Sequence, residues 1–332
     1  MNWAAGFSAT YRAYRVNPDT WEDETEIPVV SGSITRDMDD DLIDSASIVL
    51  RKAVGEIWIR IYLIAEQNGG TERIPLFTGL TSAPTRDLDG TRESYAVDCY
   101  GRLKAASDML LPLGYYVAAG AKGAETIIAL LRMAGITATA PQSSSYVMDY
   151  IIAEAGETVL TMARRVASAI GWLIRVNGRG EVSIQPYSSQ IRGKLSNDND
   201  IMEMSVTDTD DWYSCPNVLR VTSGSLTATA YDDDPSSPLS VPARGRQIWR
   251  HESATLSDAS LLPVYAQERL KALQQRTRII NYTRRFNPDI YPGDLISVSY
   301  PQAGLTGNIR VMNQTISLSH GAKTGEEAYF EN

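Results

Sequence analysis

The densest group of potential ligands in the 332-residue chain is the acidic run Asp37, Asp39, Asp40, Asp41 and Asp44. Oxygen-rich runs can hold calcium, but a loop of the EF-hand type needs Gly at its sixth position and Glu at its twelfth. Here those positions are Leu42 and Ile48. The run therefore reads as a solvated turn leading into a strand. Asp232, Asp233 and Asp234 read the same way, because Asp and Pro together make turns. His251 and His320 lie far apart, and neither has a Cys or carboxylate at ligand spacing. A His-based triad or a zinc site has no basis in that pattern. Arg244-Gly245-Arg246 and Gly178-Arg179-Gly180-Glu181 lack the phosphate-loop pattern. Arg164-Arg165 is expected on the outer face of a helix, solvated or interfacial. No pattern implies a cofactor or a metal. Carboxylate pairs for glycoside cleavage cannot be chosen from forty acidic residues without geometry.

Composition limits the partners. Net charge is −9, and the sequence pI is near 4.9, the wrong sign for a protein gripping phosphates. Residues 1–110 carry 11 Lys/Arg against 18 Asp/Glu, residues 111–188 carry 6 against 5, and residues 189–332 carry 14 against 17. The acidity is thus concentrated in the first third. Cys99 and Cys215 are too few for a disulfide framework and fit a reducing compartment, though one bridge between them stays open. The amino terminus lacks signal-peptide character, and no apolar run reaches transmembrane length, so folding in a cytoplasm without stable membrane insertion is expected.

The elements that must position these groups fall into three blocks. Residues 1–110 read as β: Phe7–Val16, Ala46–Leu50, Ile57–Leu63 and Tyr95–Cys99 alternate, separated by turn signals at Asn17-Pro18-Asp19, Asn68-Gly69-Gly70 and Asp89-Gly90. Residues 111–188 form a small α+β block. Its helices run near 124–134 and from about Glu157 to Ile170, and a hairpin turns at Asn177-Gly178-Arg179-Gly180. Residues 189–332 return to β, with a packed helix near 259–276, strands at Arg278–Phe286, Leu295–Tyr300 and Asn308–Leu318, and a polar, frayed tail after His320. The fold class is α+β, predominantly β.

Between the blocks lies a stretch with a particular order of parts. Asp211-Trp212-Tyr213 precedes Pro216-Asn217-Val218; a turn at Asp232–Pro238 and the Ala243-Arg244-Gly245-Arg246 segment follow. This order resembles the baseplate hub proteins of phage tails and contractile injection systems. Three further stretches are similar to that family. They are Pro75–Gly79 with Asp98–Gly101, Gly156–Thr158 through Gly171-Trp172 and Gly180–Val182, and Pro288 through Gly293-Asp294.

The resemblance implies two tail-tube-like β-barrel domains flanking a small α+β domain. It implies a homotrimer whose ring joins a sixfold tail tube, or a distal tail ring, to a threefold central spike, alongside other baseplate proteins. DNA would pass through the lumen without sequence-specific binding. The location implied is the virion tail, with a separate protein supplying any spike or lytic activity. Interface candidates are Arg244, Arg246, Trp58, Tyr62, Asp232, Asp233 and Asp234. Asn217–Tyr231 is expected to open the second barrel as a hairpin turning near Gly224, with Arg244 and Arg246 projecting toward a neighbour. No catalytic residue is assigned. Two alternatives stand beside this: a tail-associated peptidoglycan hydrolase using carboxylates near Asp37–Asp44, and a glycan- or receptor-binding module using Trp3, Trp21 and Trp249.

Overall fold

The computed structural model describes residues 1–331 except 41, 91, 119, 145–149, 197–205, 211, 255–258 and 276–277, so Asp41 and Asp211 lie outside the described residues. The fold is α+β and predominantly β. Its main feature is a 14-stranded sheet among the described residues, built from both ends of the chain. From one edge the order is Thr207–Asp210, Arg278–Arg285, Lys323–Glu331, Leu305–Ser317, Val29–Asp37, Asp44–Leu50, Arg92–Gly101, Gly70–Thr81, Trp58–Gln67, Ser8–Val16 and Asp23–Ile27. Leu295–Tyr300 pairs with Leu305–Ser317 and, in parallel, with Ile191–Ser196; Thr85–Asp89 pairs with Arg92–Gly101.

The two β segments are hydrogen-bonded to each other, which the separate patterns in the sequence do not show. Asn313 to Ser317 run antiparallel to Asp37 to Ser33, and Ile316 faces Ile34, both without solvent exposure. Two cores share this sheet. One joins Ala13, Ile48, Ile61, Phe77 and Val97 of the first segment to Phe286 and Ile316 of the last. The other lies within the last segment, around Ile280, Ile296, Ile309, Val311 and Ala328.

A chain of buried polar groups crosses the same seam. The Arg36 guanidinium donates to the Leu76 carbonyl at 2.7 Å, and the Gln314 amide donates to Glu326 Oε1 at 2.6 Å and to the Ile290 carbonyl at 2.9 Å. Arg284 Nε donates to Glu326 Oε2 at 2.7 Å. Arg36, Arg284, Gln314 and Glu326 are all buried, so each depends on its partner to offset desolvation.

This network overturns the expected frayed tail. Lys323–Glu331 is a strand paired on both sides, with Thr324, Glu326, Ala328 and Phe330 inward. Two of those four inward positions are polar, so the period-2 hydrophobic signal is weak there. Glu326 is inside because Arg284 meets it.

The middle block has its own core. Helices Gly123–Met133 and Val159–Ala169 pack on a three-stranded sheet of Ala138–Thr139, Val182–Pro186 and Trp172–Val176. Thr158 caps the second helix by accepting from the Thr161 amide at 3.1 Å. Gly135 and Gly171 follow the two helices at φ 74° and 65°, the left-handed stop that glycine accepts. The Asn177–Gly180 turn docks on the first segment: Thr78 Oγ1 donates to the Gly178 carbonyl at 2.9 Å. A Cβ at Gly178 would lie 1.9 Å from the Pro75 oxygen, so only glycine fits.

Residues 212–275 form a fourth unit. Val218–Ser223 and Leu226–Tyr231 make the expected hairpin, turning at Gly224-Ser225, but in a separate three-stranded sheet with Trp249–Ser253. Helix Leu262–Gln275 covers one face through Leu262, Ala266 and Leu270 against Leu219, Val221 and Ala230. The alternation that marks the hairpin is satisfied by this helix rather than by the large sheet.

Replacing Glu326 by Ala leaves Arg284 charged and unpaired inside the sheet. The Glu326→Ala variant is expected to lose about 3–5 kcal/mol of stability, read as a lowered urea midpoint against the parent.

Candidate functional site: an assembly surface

The sequence-derived candidates separate into two places. Trp58 and Tyr62 sit on the outer side of the Trp58–Gln67 strand, and the chain's own edge covers them. The Tyr62 hydroxyl donates to Asp23 Oδ2 at 2.7 Å, and the Arg73 guanidinium lies 3.7 Å from its ring centre. Trp58 meets Trp21 edge-on at 5.1 Å, with Arg102 over Trp21 at 3.6 Å. Burial lowers the Arg102 pKa to about 10. Between Trp58 and Tyr62, the buried Arg60 donates to Asp23 Oδ1 at 2.9 Å, Thr78 Oγ1 at 2.9 Å and the Trp21 carbonyl at 3.2 Å.

Arg244, Arg246 and the three aspartates lie in the fourth unit. Ser240 caps the short helix Val241–Arg244, and Gly245 ends it at φ 62°. Both guanidinium groups then fold back on the chain. Arg244 donates to the Cys215 carbonyl at 2.8 Å and the Tyr213 carbonyl at 2.9 Å, and Arg246 donates to Tyr213 at 2.8 Å. Their first partners are therefore intramolecular, and they brace an exposed Trp212-Tyr213 pair at 53% and 66% exposure. Asp232 is buried and accepts from Ser237 Oγ at 2.7 Å and Gln274 Nε2 at 3.0 Å, tying the turn to the helix. Asp233 and Asp234 are exposed, and Asp234 accepts from the Ser236 hydroxyl and amide, which lowers its pKa.

The residue that organises this loop is Asn217. Fully buried, its side chain donates to the Leu239 and Arg246 carbonyls at 3.1 and 3.0 Å and accepts from the Ile248 amide at 2.8 Å. Its backbone accepts from Asp232 at 2.9 Å. A buried amide saturated in this way is invisible to hydrophobic periodicity; only its place after Pro216, opening a strand, marks it.

The largest cavity, about 490 Å³, lies where the units meet, lined by Arg36, Arg164, Arg165, Arg175, Arg269 and Tyr291 among others. Its cations are already engaged. Arg175 pairs with Asp294, Arg165 with Glu157, and Arg269 with Glu252. Arg164, expected outward, instead donates to the carbonyls of Met38, Asp39 and Asp40 and holds the acidic run as a turn. Asp37 and Asp40 accept from the amides of Asp39 and Leu42, completing it. The cavity is a seam between units.

Asp44 ends that turn under unusual conditions. Burial pushes its pKa up to about 7, with the Arg36 charge opposing, and its Oδ1 has no hydrogen-bond partner. Cys99 and Cys215 are both buried and unbridged, and burial raises the Cys99 thiol to about 12. Thr222 Oγ1 lies 3.3 Å from His251 Nε2, but no carboxylate holds the other ring nitrogen among the described residues. Of the three tryptophans considered for glycans, Trp3 packs on Phe7 and Phe286 and Trp21 on Trp58, while Trp249 is 46% exposed.

No protein-family model and no curated protein sequence matches the chain. Solved structures do. The 43 kDa tail protein of prophage MuSo2 from Shewanella oneidensis superposes with TM-score 0.70 at 14% identity, covering 98% of both chains. A tail protein from Neisseria meningitidis MC58 gives 0.72 at 15% identity over 97% of both. The Escherichia coli c3393 protein, described as a type VI secretion component structurally similar to the T4 tail proteins gp27 and gp5, gives 0.52 at 11% identity, covering 92% of this chain and 75% of that one. The chain has the fold of these tail proteins.

Two outcomes follow. Asn217→Ala removes three side-chain hydrogen bonds, and limited proteolysis is expected to cut first between 232 and 248. Asp44 binds its proton more tightly folded than unfolded, so its contribution is full below pH 4 and lost as pH rises through about 7. Denaturant titrations should show Asp44→Asn gaining on the parent over that window, by up to about 4 kcal/mol.

Proposed function

We propose that this chain is a structural hub of a phage tail or related injection machine, located in the virion tail and without catalysis of its own. The observation that carries the reading is the superposition on two prophage tail proteins along essentially the whole length of both partners. A match confined to one block would describe a shared module; this one covers the order of all the blocks.

The finer picture is that of a homotrimeric ring. Each copy would contribute two tube-like barrels, one around each of the two cores of the large sheet, with the helical block packed beside them. Three copies would then offer six similar units to a sixfold tube while keeping threefold symmetry for a central spike. The chain's acidity supports a lumen that passes DNA without holding it, since phosphate contacts require cations. Arginines lining the central seam are engaged by the chain's own carboxylates and carbonyls, which supports a load-transmitting body over an anion-binding or catalytic one.

Purified tails from the particle that encodes this chain provide the test. Reconstruction is expected to place three copies on the tail axis between tube and spike. Absence from the particle, or a peripheral position, would overturn the reading.

A further inference from the structure

The three-stranded sheet of the fourth unit has one unpartnered face. Helix Leu262–Gln275 covers the side bearing Leu219, Val221 and Ala230. Register places the alternate residues together on the other side. These are Val218, Arg220 and Thr222, beside Tyr231, Thr229 and Thr227, and beside Trp249, His251 and Ser253. None of these nine residues is a carboxylate, in a chain of net charge −9. Trp249 and Tyr231 are 46% and 39% exposed and meet edge-on at 6.0 Å, and the Arg220 guanidinium lies 4.9 Å from the Trp249 ring centre. Trp, Tyr and Arg are the residue types that concentrate binding energy in protein interfaces.

A complementary feature stands at the opposite end of the sequence. Thr85–Asp89 is an edge strand paired only with Arg92–Gly101, and all five of its residues are exposed. Leu88, 64% exposed, stands between Asp87 and Asp89. The neighbouring Arg86 pairs with Glu93 across the hairpin, whereas Asp87 and Asp89 make no ion pair among the described residues. The hairpin thus presents an apolar anchor flanked by two unneutralised carboxylates. Its residues belong to the most acidic third of the chain.

We propose that the Leu88 hairpin of one copy docks on the Tyr231–Trp249–Arg220 face of a second copy. Leu88 would fill the aromatic step, and Asp87 or Asp89 would meet Arg220, whose fork suits a carboxylate. Tip and face are different surfaces of one chain, so the contact is head-to-tail, and a suitable rotation closes it into a ring. This rests on the ring reading above and adds which surfaces meet.

The test uses the full chain, in two variants each confined to one surface. One is the hairpin variant Asp87→Arg with Leu88→Lys; the other is the face variant Arg220→Asp with Trp249→Ala. Unchanged melting temperatures establish that both fold. By sedimentation equilibrium the parent is expected to form a closed oligomer, and each variant to weaken self-association at least tenfold. A one-to-one mixture of the variants retains one intact tip and one intact face on different molecules, and is expected to give heterodimers that grow no further. A monomeric parent, variants that associate like the parent, or a mixture that stays monomeric would each overturn the proposal. If variants self-associate normally but fail to enter tails, the face serves another tail protein and the proposal is wrong while the hub reading survives. Absence of the parent from tails defeats the hub reading itself.

Discussion

The structure depends on one pairing, that of Leu305–Ser317 with Val29–Asp37. It joins segments nearly three hundred positions apart in a sheet that would otherwise end twice. Without it, Ile34 and Ile316 would each face solvent, and Phe286 and Leu318 would leave the first core. The pairing also sets the register that brings Arg36 opposite Gln314, and so admits the buried chain from Leu76 through to Arg284. Apolar contact supplies the driving force at this seam, while the polar chain fixes its alignment: a one-residue slip would turn every side chain to the other face and strand the charges.

The same division of labour recurs wherever units meet. Arg60 reaches from the first sheet to Asp23 and Trp21, and Thr78 beside it receives the Gly178 turn of the middle block. Arg175 of that block reaches Asp294 of the last segment, with the Tyr291 ring 4.7 Å from its guanidinium and 4.3 Å from that of Arg36. Arg310 donates to the Gly293 carbonyl at 2.7 Å and to the Ser188 carbonyl at 3.2 Å. Arginine suits these positions because its planar fork reaches several acceptors at once and never loses its charge. Such seams hold the blocks in one geometry, which matters for a part that transmits force between neighbours.

The sequence showed local structure well where hydrophobic period and turn chemistry agree. The helices ending at Gly135 and Gly171, the Asn177–Gly180 hairpin and the Gly224 turn all rest on glycines at positive φ next to periodic apolar residues. It failed where polar residues face inward. Lys323–Glu331 looked like a loose end because Thr324 and Glu326 occupy core positions, and their partners Arg284 and Gln314 lie on other strands. Arg164 looked solvated for a similar reason, since its acceptors are backbone carbonyls over a hundred positions away. Asn217 shows the middle case: its neighbourhood stood out as a pattern, but its role as the bond centre of the loop needed coordinates. Long-range pairing of polar groups leaves no trace in local periodicity.

That observation also bears on where function lies. Inside the chain, cations and carboxylates are matched across seams, and Asp44 is displaced toward its neutral form by burial. A matched interior has little electrostatic work left for a substrate. The imbalance that remains is on the surface and is spatially sorted, with carboxylates around the first segment and an arginine–aromatic face on the fourth unit. A monomeric enzyme gains nothing from keeping opposite signs on surfaces that belong to different units. For a subunit that must recognise its own kind in one orientation, the separation is useful, because like surfaces repel and only head-to-tail contact brings unlike charges together.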